Sequence, residues 1–463
     1  MSAESSSSSR VLAEGIVRRL QAAGFEAFFV GGCVRDEQLG REPEDYDIAT
    51  NAVPSEIERL FSKTIPVGRQ FGVMVVIEAG RQFQVATFRA EADYRDGRHP
   101  REVRFGDPKA DAARRDFTIN GLFFDPVRGE LRDWVGGTAD LAARVIRTIG
   151  RPEERFAEDH LRLLRAVRFA AQLGFAIEPE TWAAIRSLAP RIRRVSAERV
   201  RDELLRVFAP GRPFHNPSGT TIAARGLDLL HESGLLAEVL PEITACVTCE
   251  QSPDFHPEGT VFNHLRLMFA QLPPDADPLL PWCVLLHDVA KPRTAERDPR
   301  SGAIHFYGHE RIGADMTRAI LGRLRFPKKE IETVATVVRQ HMQFRDAPNM
   351  RTATRRRMLL RPTFPLEMEL HRLDCLGSHG RLDIYEFLRS EADALARQPE
   401  LVPPLLSGHD LRAIGVPSGR AMGVLLREVR DLQLAGTLKS REEALAWVKG
   451  RTGKGTDEAL PNR

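Results

Sequence analysis

The sequence predicts an α+β protein in which a small mixed α/β head is followed by an elongated all-α neck and body. Three observations lead to this prediction. The chain has 463 residues, about three times the length of a typical domain. Strand-like runs lie in roughly the first quarter of the chain, whereas helical periodicity prevails from about Arg151 onward. Hydrophobic residues make up 42% and charged residues 28% of the chain, which is typical of a protein with well-formed cores.

The head is predicted to begin with a helix over residues 11–24, where apolar residues recur at helical spacing until Gly24. The run EAFFVGG (26–32) then predicts a short buried strand that ends in a glycine turn. DYDIAT (45–50) is a second strand candidate. VMVVIEAGRQFQVATFR (73–89) is typical of a hairpin, because two β-rich runs flank an Ala-Gly turn.

The rest of the chain predicts helices. RFAEDHLRLLRAVRFAAQLGF (155–175) and SAERVRDELLRVF (196–208) have helical periodicity, and the proline-rich stretch 271–281 predicts a loop between two helices. The predicted segments are a disordered lead at 1–10, the head at 11–150, a helical neck at 151–255, a second helical domain at 256–400 and a helical tail at 401–463.

Composition argues against a membrane-spanning or secreted protein. No run approaches the ~18 apolar residues of a membrane span, and the serine-rich start lacks the pattern of a signal peptide. The five scattered cysteines favour a reducing, cytoplasmic location. The net charge is only +3, but arginine far outnumbers lysine. Arginine offers a planar fork that suits phosphates and base edges, although a GC-rich genome also favours arginine.

Two motifs in the head predict a nucleotide site. Gly31 and Gly32 follow a strand, where backbone N–H groups can approach a phosphate, and Arg35 adds a guanidinium. Asp45 and Asp47 are two residues apart in a predicted strand, so their carboxylates lie on one face. Adjacent carboxylates repel one another unless a cation joins them, and hard oxygen ligands suit Mg²⁺. The combination favours metal-dependent nucleotidyl transfer.

Six motifs then occur in order, namely FVGGCVRD, DYDIAT, TIPVGRQFG, RRDFTINGLFFDP, DWVGGTADL and the run at 155–175. Together they resemble the class II tRNA nucleotidyltransferases, which are the CCA-adding enzymes, and their relatives the bacterial poly(A) polymerases. The resemblance covers roughly residues 12–230. It implies that Asp45 and Asp47 are the catalytic metal-binding pair. It also implies nucleotide contacts at Gly31, Gly32, Arg35, Arg114, Arg115, Asp116, Asn120, Asp159, Arg162, Arg165 and Arg168, and a flexible loop at 91–100.

One position departs from the family pattern. Relatives often carry a third carboxylate in the strand before the TFR motif, where this chain has Gln84. A glutamine offers a carbonyl oxygen but no charge. The sequence therefore predicts a metal site built on two aspartates.

The neck contains the predicted base-reading pair. Asp159 and Arg162 are expected to be neighbours on one helical face. A carboxylate accepts from the exocyclic amine of cytosine or adenine while a guanidinium donates to the ring nitrogen, and uracil and guanine reverse this order. The resemblance assigns the templating role to these two residues. It also identifies Glu198, Arg199 and Glu203 as a neck motif that we expect to be structural.

The second half carries a histidine set typical of HD-type metal phosphohydrolases. Imidazoles and carboxylates suit a divalent transition metal, although an inactive helical scaffold is an equal alternative. An active centre would hydrolyse phosphoesters such as a 2′,3′-cyclic phosphate at an RNA end. Cys246 and Cys249 have the spacing of half a zinc site, with His256 as the nearest further candidate. The predicted HD ligands are His264, His287, Asp288, His309, His341 and Asp374.

The leading prediction is an enzyme that adds or repairs the 3′-CCA end of tRNA from CTP and ATP, with Mg²⁺ as its cofactor and the tRNA acceptor end as its partner. A poly(A) polymerase is the nearest alternative. Bacterial poly(A) polymerases carry a basic run before their ATFR motif, whereas this chain reads GRQFGV (68–73), which favours CCA addition. Enzymes that add only CC or only A remain alternatives, as does a phosphohydrolase whose HD centre is the main activity.

Overall fold

The computed structural model describes residues 3–90, 106–253, 256–398 and 401–453. It divides into two compact units, Met1–Thr244 and Ala245–Arg463. The predicted head and most of the predicted neck thus form one unit, and the boundary precedes the predicted one at 255/256. The predicted flexible loop at 91–100 lies outside the described residues.

A seven-stranded mixed sheet forms the centre of the head, in the order β3-β4-β5-β2-β1-β6-β7. Every pairing is antiparallel except that between β2 and β5. The predicted hairpin is confirmed as β4 and β5, which turn through positive φ angles at Ala79 (49°) and Gly80 (78°). The strands are β1 Ala27–Val30, β2 Ile48–Thr50, β3 Thr64–Gly68, β4 Val73–Glu78, β5 Arg81–Thr87, β6 Phe123–Asp125 and β7 Glu130–Arg132.

The topology brings three chain segments to one edge of this sheet. Because β1 pairs antiparallel with both β2 and β6, the end of β1 lies beside the starts of the other two strands. The glycine turn at Gly31, the segment before Ile48 and the segment before Phe123 therefore meet there. Phe28, Phe88 and Phe123 pack under the sheet with ring centroids 6.0–6.3 Å apart. Their contacts fix this edge on a buried core.

The first helix begins at Ala3, inside the stretch 1–10 that was predicted to be a disordered lead. Arg10 gives a physical reason, because its guanidinium pairs with Glu14 (3.4 Å) and Glu37 (2.8 Å) and so ties this stretch to the head. The helices of the head are α1 Ala3–Ala22, α2 Gly32–Gln38, α3 Pro54–Leu60, α4 Pro108–Ala113 and α5 Gly137–Ala143, and 3-10 turns occur at Arg69–Phe71 and Thr118–Asn120.

The neck is helical, as predicted, apart from one short parallel strand pair. Strand β8 Val145–Ile146 at the end of the head pairs with β9 of the neck. The neck elements are α6 Pro152–Glu158, α7 Arg162–Leu173, β9 Ala176–Ile177, α8 Pro179–Leu188, a 3-10 turn at Ala189–Arg194, α9 Ala197–Val207, α10 Ile222–Glu232, α11 Leu235–Val239 and α12 Pro241–Thr244. Helix α7 ends at Gly174, whose φ of 71° reverses the chain.

The second unit is also helical, with one two-residue hairpin, and none of the helices in the described ranges is long and apolar enough to cross a membrane. Its elements are α13 Val261–Ala270, α14 Leu280–Leu286, α15 Lys291–Thr294, β10 Glu296–Arg297, β11 Ile304–His305, α16 His309–Arg323, α17 Lys328–Gln340, a 3-10 stretch at His341–Asn349, α18 Thr352–Leu359, α19 Phe364–Gly377, α20 Asp383–Ala396, α21 Gly408–Ala413, α22 Arg420–Leu434 and α23 Arg441–Gly453.

Gly174→Ala tests the packing at the end of α7. An added Cβ would lie 1.7 Å from the carbonyl oxygen of His215, at a φ that side chains disfavour. We expect a loss of about 2–5 kcal/mol in the free energy of unfolding. Gly129→Ala is the matched control, since Gly129 has φ 72° but no atom within 4 Å of an added Cβ. Scanning calorimetry that finds equal melting temperatures for the two variants would contradict this account.

Candidate functional site

The glycine turn leaves room for an arginine. Gly31 has φ 74° and ψ −125°, and its N–H donates to the carbonyl of Leu122 (3.3 Å). A Cβ added at Gly31 would lie 2.9 Å from Nη1 of Arg115. Because only hydrogen occupies that place, the Arg115 guanidinium can lie directly against the turn.

Asp45 and Asp47 lie in the segment that directly precedes β2. The predicted strand begins only at Ile48, although the carbonyl of Asp47 still accepts from the N–H of Val30 (3.0 Å). Tyr46 is buried, whereas Asp45 is exposed and Asp47 is half-buried. Both aspartates are thus more exposed than the tyrosine between them, which is the pattern expected of two side chains on one face.

The two carboxylates are close enough to repel each other. Burial raises the pKa of Asp47 to about 6, and the negative charge of Asp45 adds to this effect while Arg115 opposes it. A hard divalent cation bound between two such oxygen donors relieves their mutual repulsion. The donor set therefore fits Mg²⁺.

Gln84 lies beside this pair. Strands β2 and β5 run parallel with Ile48 opposite Val85. One step back along both strands brings Asp47 opposite Gln84, whose side chain is exposed. The position that departs from the family pattern thus borders the aspartate pair, where its amide is a neutral neighbour.

Asp111 fixes both arginines of the RRD motif. Its carboxylate accepts from Nε of Arg114 (2.8 Å) and Nη2 of Arg115 (3.1 Å). Burial would raise the pKa of Asp111, but the two guanidiniums and the N–H of Arg89 outweigh it and lower the pKa. The sequence analysis missed Asp111, although its spacing of three and four residues from the two arginines on a helix was a usable signal.

Four predicted nucleotide residues form one chain of hydrogen bonds. Arg35 donates from Nε and Nη2 to Asp36 (3.0 Å each) and from Nη1 to Oδ1 of Asn120 (2.8 Å). Asn120 in turn donates to Asp116 (3.0 Å), which also accepts from Nε of Arg165 (2.7 Å). Arg165 and Asn120 outweigh the burial of Asp116 and hold its pKa well below the usual value. The four side chains therefore contact one another, and the Arg35 guanidinium also pairs with Asp36.

Phe169 lies at the centre of this network. The guanidinium carbons of Arg35, Arg165 and Arg168 lie 5.1, 5.3 and 4.2 Å from the centroid of its ring. Glu203 supplies the counter-charge at 2.9 Å from Nε of Arg168. Burial nevertheless lowers the pKa of Arg168 to about 10. Arg168 is thus enclosed by Phe169 and Glu203.

The predicted helical neighbours Asp159 and Arg162 are not on one helix. Helix α6 ends at Glu158, and Asp159 has extended backbone angles (φ −146°, ψ 103°). The physical reason is local, because the Asp159 carboxylate accepts from the N–H of Leu161 (3.0 Å) and stabilises a turn between α6 and α7. Periodicity alone did not reveal this break.

The structure gives Asp159 and Arg162 separate partners. Both oxygens of Asp159 accept from Arg199 (3.2 and 2.7 Å). Arg162 donates to Glu158 (2.6 Å) and to the carbonyls of Arg155 (2.9 Å) and Arg114 (3.0 Å). Arg199 of the predicted neck motif therefore orients Asp159.

In the second unit, the six predicted HD residues come together. Nε2 of His264 lies 3.0 Å from Asp374, and Nε2 of His287 lies 3.2 Å from Asp288. The remaining two, His309 and His341, lie with their Nε2 atoms 3.4 and 3.9 Å from the other oxygen of Asp288. Asp288 is therefore the common centre of the cluster.

Backbone carbonyls fix the tautomers of three histidines. Nδ1 of His287, His309 and His341 lies 2.6–2.8 Å from a carbonyl oxygen, which can only accept, so each Nδ1 carries hydrogen. Burial and the neighbouring His287 lower the pKa of His341 to about 3. Its Nε2 lone pair faces Nε2 of His309 at 3.2 Å, so a proton or a metal ion is required between them. The buried Nε2 of His287 also makes no hydrogen bond within the described residues, and the donor set fits a divalent transition metal.

The sequence analysis missed two residues of this cluster. Lys291 contacts Asp288 (2.7 Å) and donates to Gln251 (2.6 Å), and its spacing of three residues from Asp288 was a usable signal. Glu258 lies 2.7 Å from Nδ1 of His264, a contact that no motif indicated. Burial opposes protonation of His264, but Asp374 and Glu258 overcome it and raise the pKa of His264 to about 9.

The zinc alternative finds no support. Cys246 and Cys249 belong to none of the metal-competent groups found among the described residues. Burial raises the pKa of both thiols, which favours the neutral form over a thiolate ligand.

Three family models match the chain. The Poly A polymerase head domain matches residues 27–147, the probable RNA and SrmB-binding site of polymerase A matches residues 174–217, and the HD domain matches residues 260–397. The predicted types of domain, a nucleotidyltransferase head and an HD-type helical domain, are therefore confirmed.

Curated proteins of similar sequence are CCA-adding enzymes. The CCA-adding enzyme of Geobacillus kaustophilus is 44% identical over 234 residues, which are 50% of this chain and 55% of the relative. The enzyme of Levilactobacillus brevis is 45% identical over 203 residues, 44% of this chain and 51% of the relative. The matched region thus spans about half the length of these curated relatives.

Solved structures match over nearly the whole chain. The Bacillus stearothermophilus CCA-adding enzyme in complex with CTP is 27% identical with a TM-score of 0.70, and the match covers 96% of this chain and 97% of that one. The Thermotoga maritima CCA-adding enzyme complexed with tRNA shares the fold, with a TM-score of 0.55, 19% identity and 95% of each chain covered. The predicted fold class is confirmed.

The buried network predicts a large cost for Asp116→Asn. Removing the charge leaves Arg165 without its closest partner, so we expect a loss of about 3–5 kcal/mol in the free energy of unfolding. Because the pKa of Asp116 is lowered in the folded head, its contribution is present above the unfolded pKa and is lost as the pH falls through and below that value. Urea unfolding between pH 7 and pH 3 measures both effects.

Glu130→Gln is the matched control, since it breaks a half-exposed ion pair with Arg132. It should cost less than about 1 kcal/mol. Equal losses for Asp116→Asn and the control would show that the network does not stabilise the head.

Proposed function

We propose that this chain, which combines a poly(A) polymerase-type head and RNA-binding segment with an HD domain, is a template-independent nucleotidyltransferase that builds or repairs the 3′-CCA end of tRNA from CTP and ATP. The observation that carries the proposal is the Asp45–Asp47 pair beside the Gly31 turn and Arg115. The match to a CTP complex of a CCA-adding enzyme supports it.

Asp45 and Asp47 would hold Mg²⁺. The bound ion would make the tRNA 3′-hydroxyl more acidic and offset charge on the triphosphate. The half-buried Asp47 and the exposed Asp45 give the pair one side toward the core and one side open to ligands. Gln84 adds no charge beside them, so the two aspartates carry the whole anionic donor set.

Arg115 would contact the triphosphate. Its guanidinium lies against the Gly31 turn and acts electrostatically on Asp47, so it is near both the phosphate turn and the metal pair. Asp111 and the carbonyl of Asn120 (3.4 Å) fix its orientation before a nucleotide arrives. A fixed cation at this place stabilises charge that develops on the pyrophosphate as it leaves.

Asp159 and Arg162 would read the base. A carboxylate has about four lone-pair sites, so Asp159 can accept from an exocyclic amine while it holds Arg199. Among the contacts of the described residues, Arg162 uses Nη1 and one Nη2 hydrogen. Its Nε–H remains available to donate to a ring nitrogen. The pair thus matches the edges of cytosine and adenine.

The neck would contact the tRNA acceptor arm. Arg191, Arg193 and Arg194 are exposed in the 3-10 turn Ala189–Arg194, within the segment that matches the RNA-binding model. Closely spaced guanidiniums attract a phosphate backbone without reading its sequence. Recognition of the acceptor arm would therefore rest on its shape and phosphates.

A second activity is supported by the histidine cluster. His264, His287, Asp288 and Asp374 would hold one divalent ion, and His309 and His341 a further one beside Asp288. Such an ion supplies Lewis-acid chemistry and a nucleophile at neutral pH. Buried Lys291 would lie beside the phosphate of a substrate. We infer that the HD domain hydrolyses phosphoesters, for example a cyclic phosphate at an RNA end.

Incorporation of labelled nucleotides tests the main proposal. On a tRNA that ends at the discriminator base, with Mg²⁺ and CTP plus ATP, we expect products that stop at three added residues and need CTP before ATP. Asp45→Ala with Asp47→Ala should remove incorporation, because the metal donors are gone, whereas Glu130→Gln should retain it. Long tails from ATP alone would instead indicate a poly(A) polymerase, and an active double variant would refute the assigned site.

Asp288→Asn separates the two activities. It should abolish hydrolysis of 2′,3′-cyclic AMP in the presence of Co²⁺, Ni²⁺ or Mn²⁺ because Asp288 joins both halves of the cluster. It should leave nucleotide incorporation unchanged. Asp45→Ala with Asp47→Ala is the reciprocal control and should keep the hydrolysis. If the double aspartate variant lost both activities, the hydrolysis would belong to the head.

A further inference from the structure

An aromatic pair, His305 and Tyr307, directly precedes His309 of the histidine cluster along the chain. Tyr307 is 72% exposed, more than any other large apolar or aromatic side chain in the described ranges. Its ring lies parallel to that of His305, with centroids 5.3 Å apart and an interplanar angle of 16°. The stack covers one side of the tyrosine and leaves the rest of the ring open to solvent.

The backbone between this pair and the cluster is firmly held. Nδ1 of His309 donates to the carbonyl of Phe306 (2.7 Å). The Phe306 ring lies 5.3 Å from Nζ of Lys291, which contacts Asp288 at 2.7 Å. Both the carbonyl and the ring of Phe306 thus connect the segment to the proposed metal ligands.

Gly308 then separates the exposed ring from the buried histidine. Its φ of 72° turns the chain, so that Tyr307 faces solvent while His309 is 6% exposed. Two residues span at most about 7 Å along the chain. The Cα atom of Tyr307 therefore lies within that distance of the Cα atom of His309, a proposed metal ligand. A ribose joins a phosphate to a base over a comparable span.

We propose that Tyr307, backed by His305, is a stacking platform for the nucleobase of a nucleoside phosphate whose phosphate lies at the histidine cluster. This inference rests on the proposed phosphoesterase activity and names its substrate class. Stacking needs a flat π-face and no hydrogen-bond code, so every base is accepted and purines bind more tightly than pyrimidines. A phosphoester without a base gains nothing from the platform.

Substrate selectivity tests the platform. For the full chain we compare kcat/KM on adenosine 2′-monophosphate with kcat/KM on glycerol 2-phosphate, which has no ring. Tyr307→Ala should lower this ratio about tenfold, because the base loses the ring on which it stacks. Tyr307→Phe keeps the ring and should keep the ratio. An unchanged ratio in Tyr307→Ala, or an equal loss in Tyr307→Phe, would overturn the proposal.

Direct binding distinguishes failure of the platform from failure of the phosphoesterase. If wild-type protein hydrolyses neither compound with Co²⁺, Ni²⁺ or Mn²⁺, the proposed hydrolysis is wrong. Calorimetric titration with adenosine 2′-monophosphate then decides the platform, because the head is identical in wild type and variants. Binding that weakens about tenfold in Tyr307→Ala but not in Tyr307→Phe supports it, and equal binding by all three proteins refutes it.

Discussion

The head and the first part of the neck depend on one buried aromatic ring. Phe169 has three guanidiniums around it, from Arg35 in the head and from Arg165 and Arg168 in the neck. Like charges so close together are tolerable because Asp36, Asp116 and Glu203 neutralise them and the π-face attracts them. The resulting network fixes the proposed nucleotide contacts of the head, and it also fixes the neck helices that carry Arg165, Arg168 and Glu203.

The sequence predicted the fold, and the structure brings most of the predicted site residues together, because motif order, strand alternation and helical periodicity are local signals. It failed where a side chain overrides periodicity. Asp159 bonds to the backbone two residues on and so breaks the helix that its neighbours predict. The sequence also did not predict hydrogen-bonding partners that only tertiary structure brings together, such as Glu258 beside His264. Spacing identified the ligand types but not the carboxylate that positions one of them.

The two proposed metal centres, one in the head and one in the second unit, differ in the kind of donor that they bring together. In the head, Asp45 and Asp47 bring negative charge together, and burial raises the pKa of Asp47. A hard cation and an anionic triphosphate together satisfy such a site, with Arg115 nearby. In the second unit, imidazole lone pairs converge on Asp288, which suits a softer metal ion. One chain can therefore discriminate between two metal ions by donor chemistry.

The strand order has a consequence for how the chain folds during synthesis. Strand β1 pairs with β6, whose residues are synthesised much later, and the bond from Arg35 to Asn120 forms only when this pairing is in place. Phe169 emerges from the ribosome later still. Long-range closures of this kind are slow and follow local hairpins such as β4–β5. A nascent chain can therefore display Asp45 and Asp47 while its arginines are still unorganised, and a ribosome stalled before Phe169 would carry a head whose proposed nucleotide contacts are not in place.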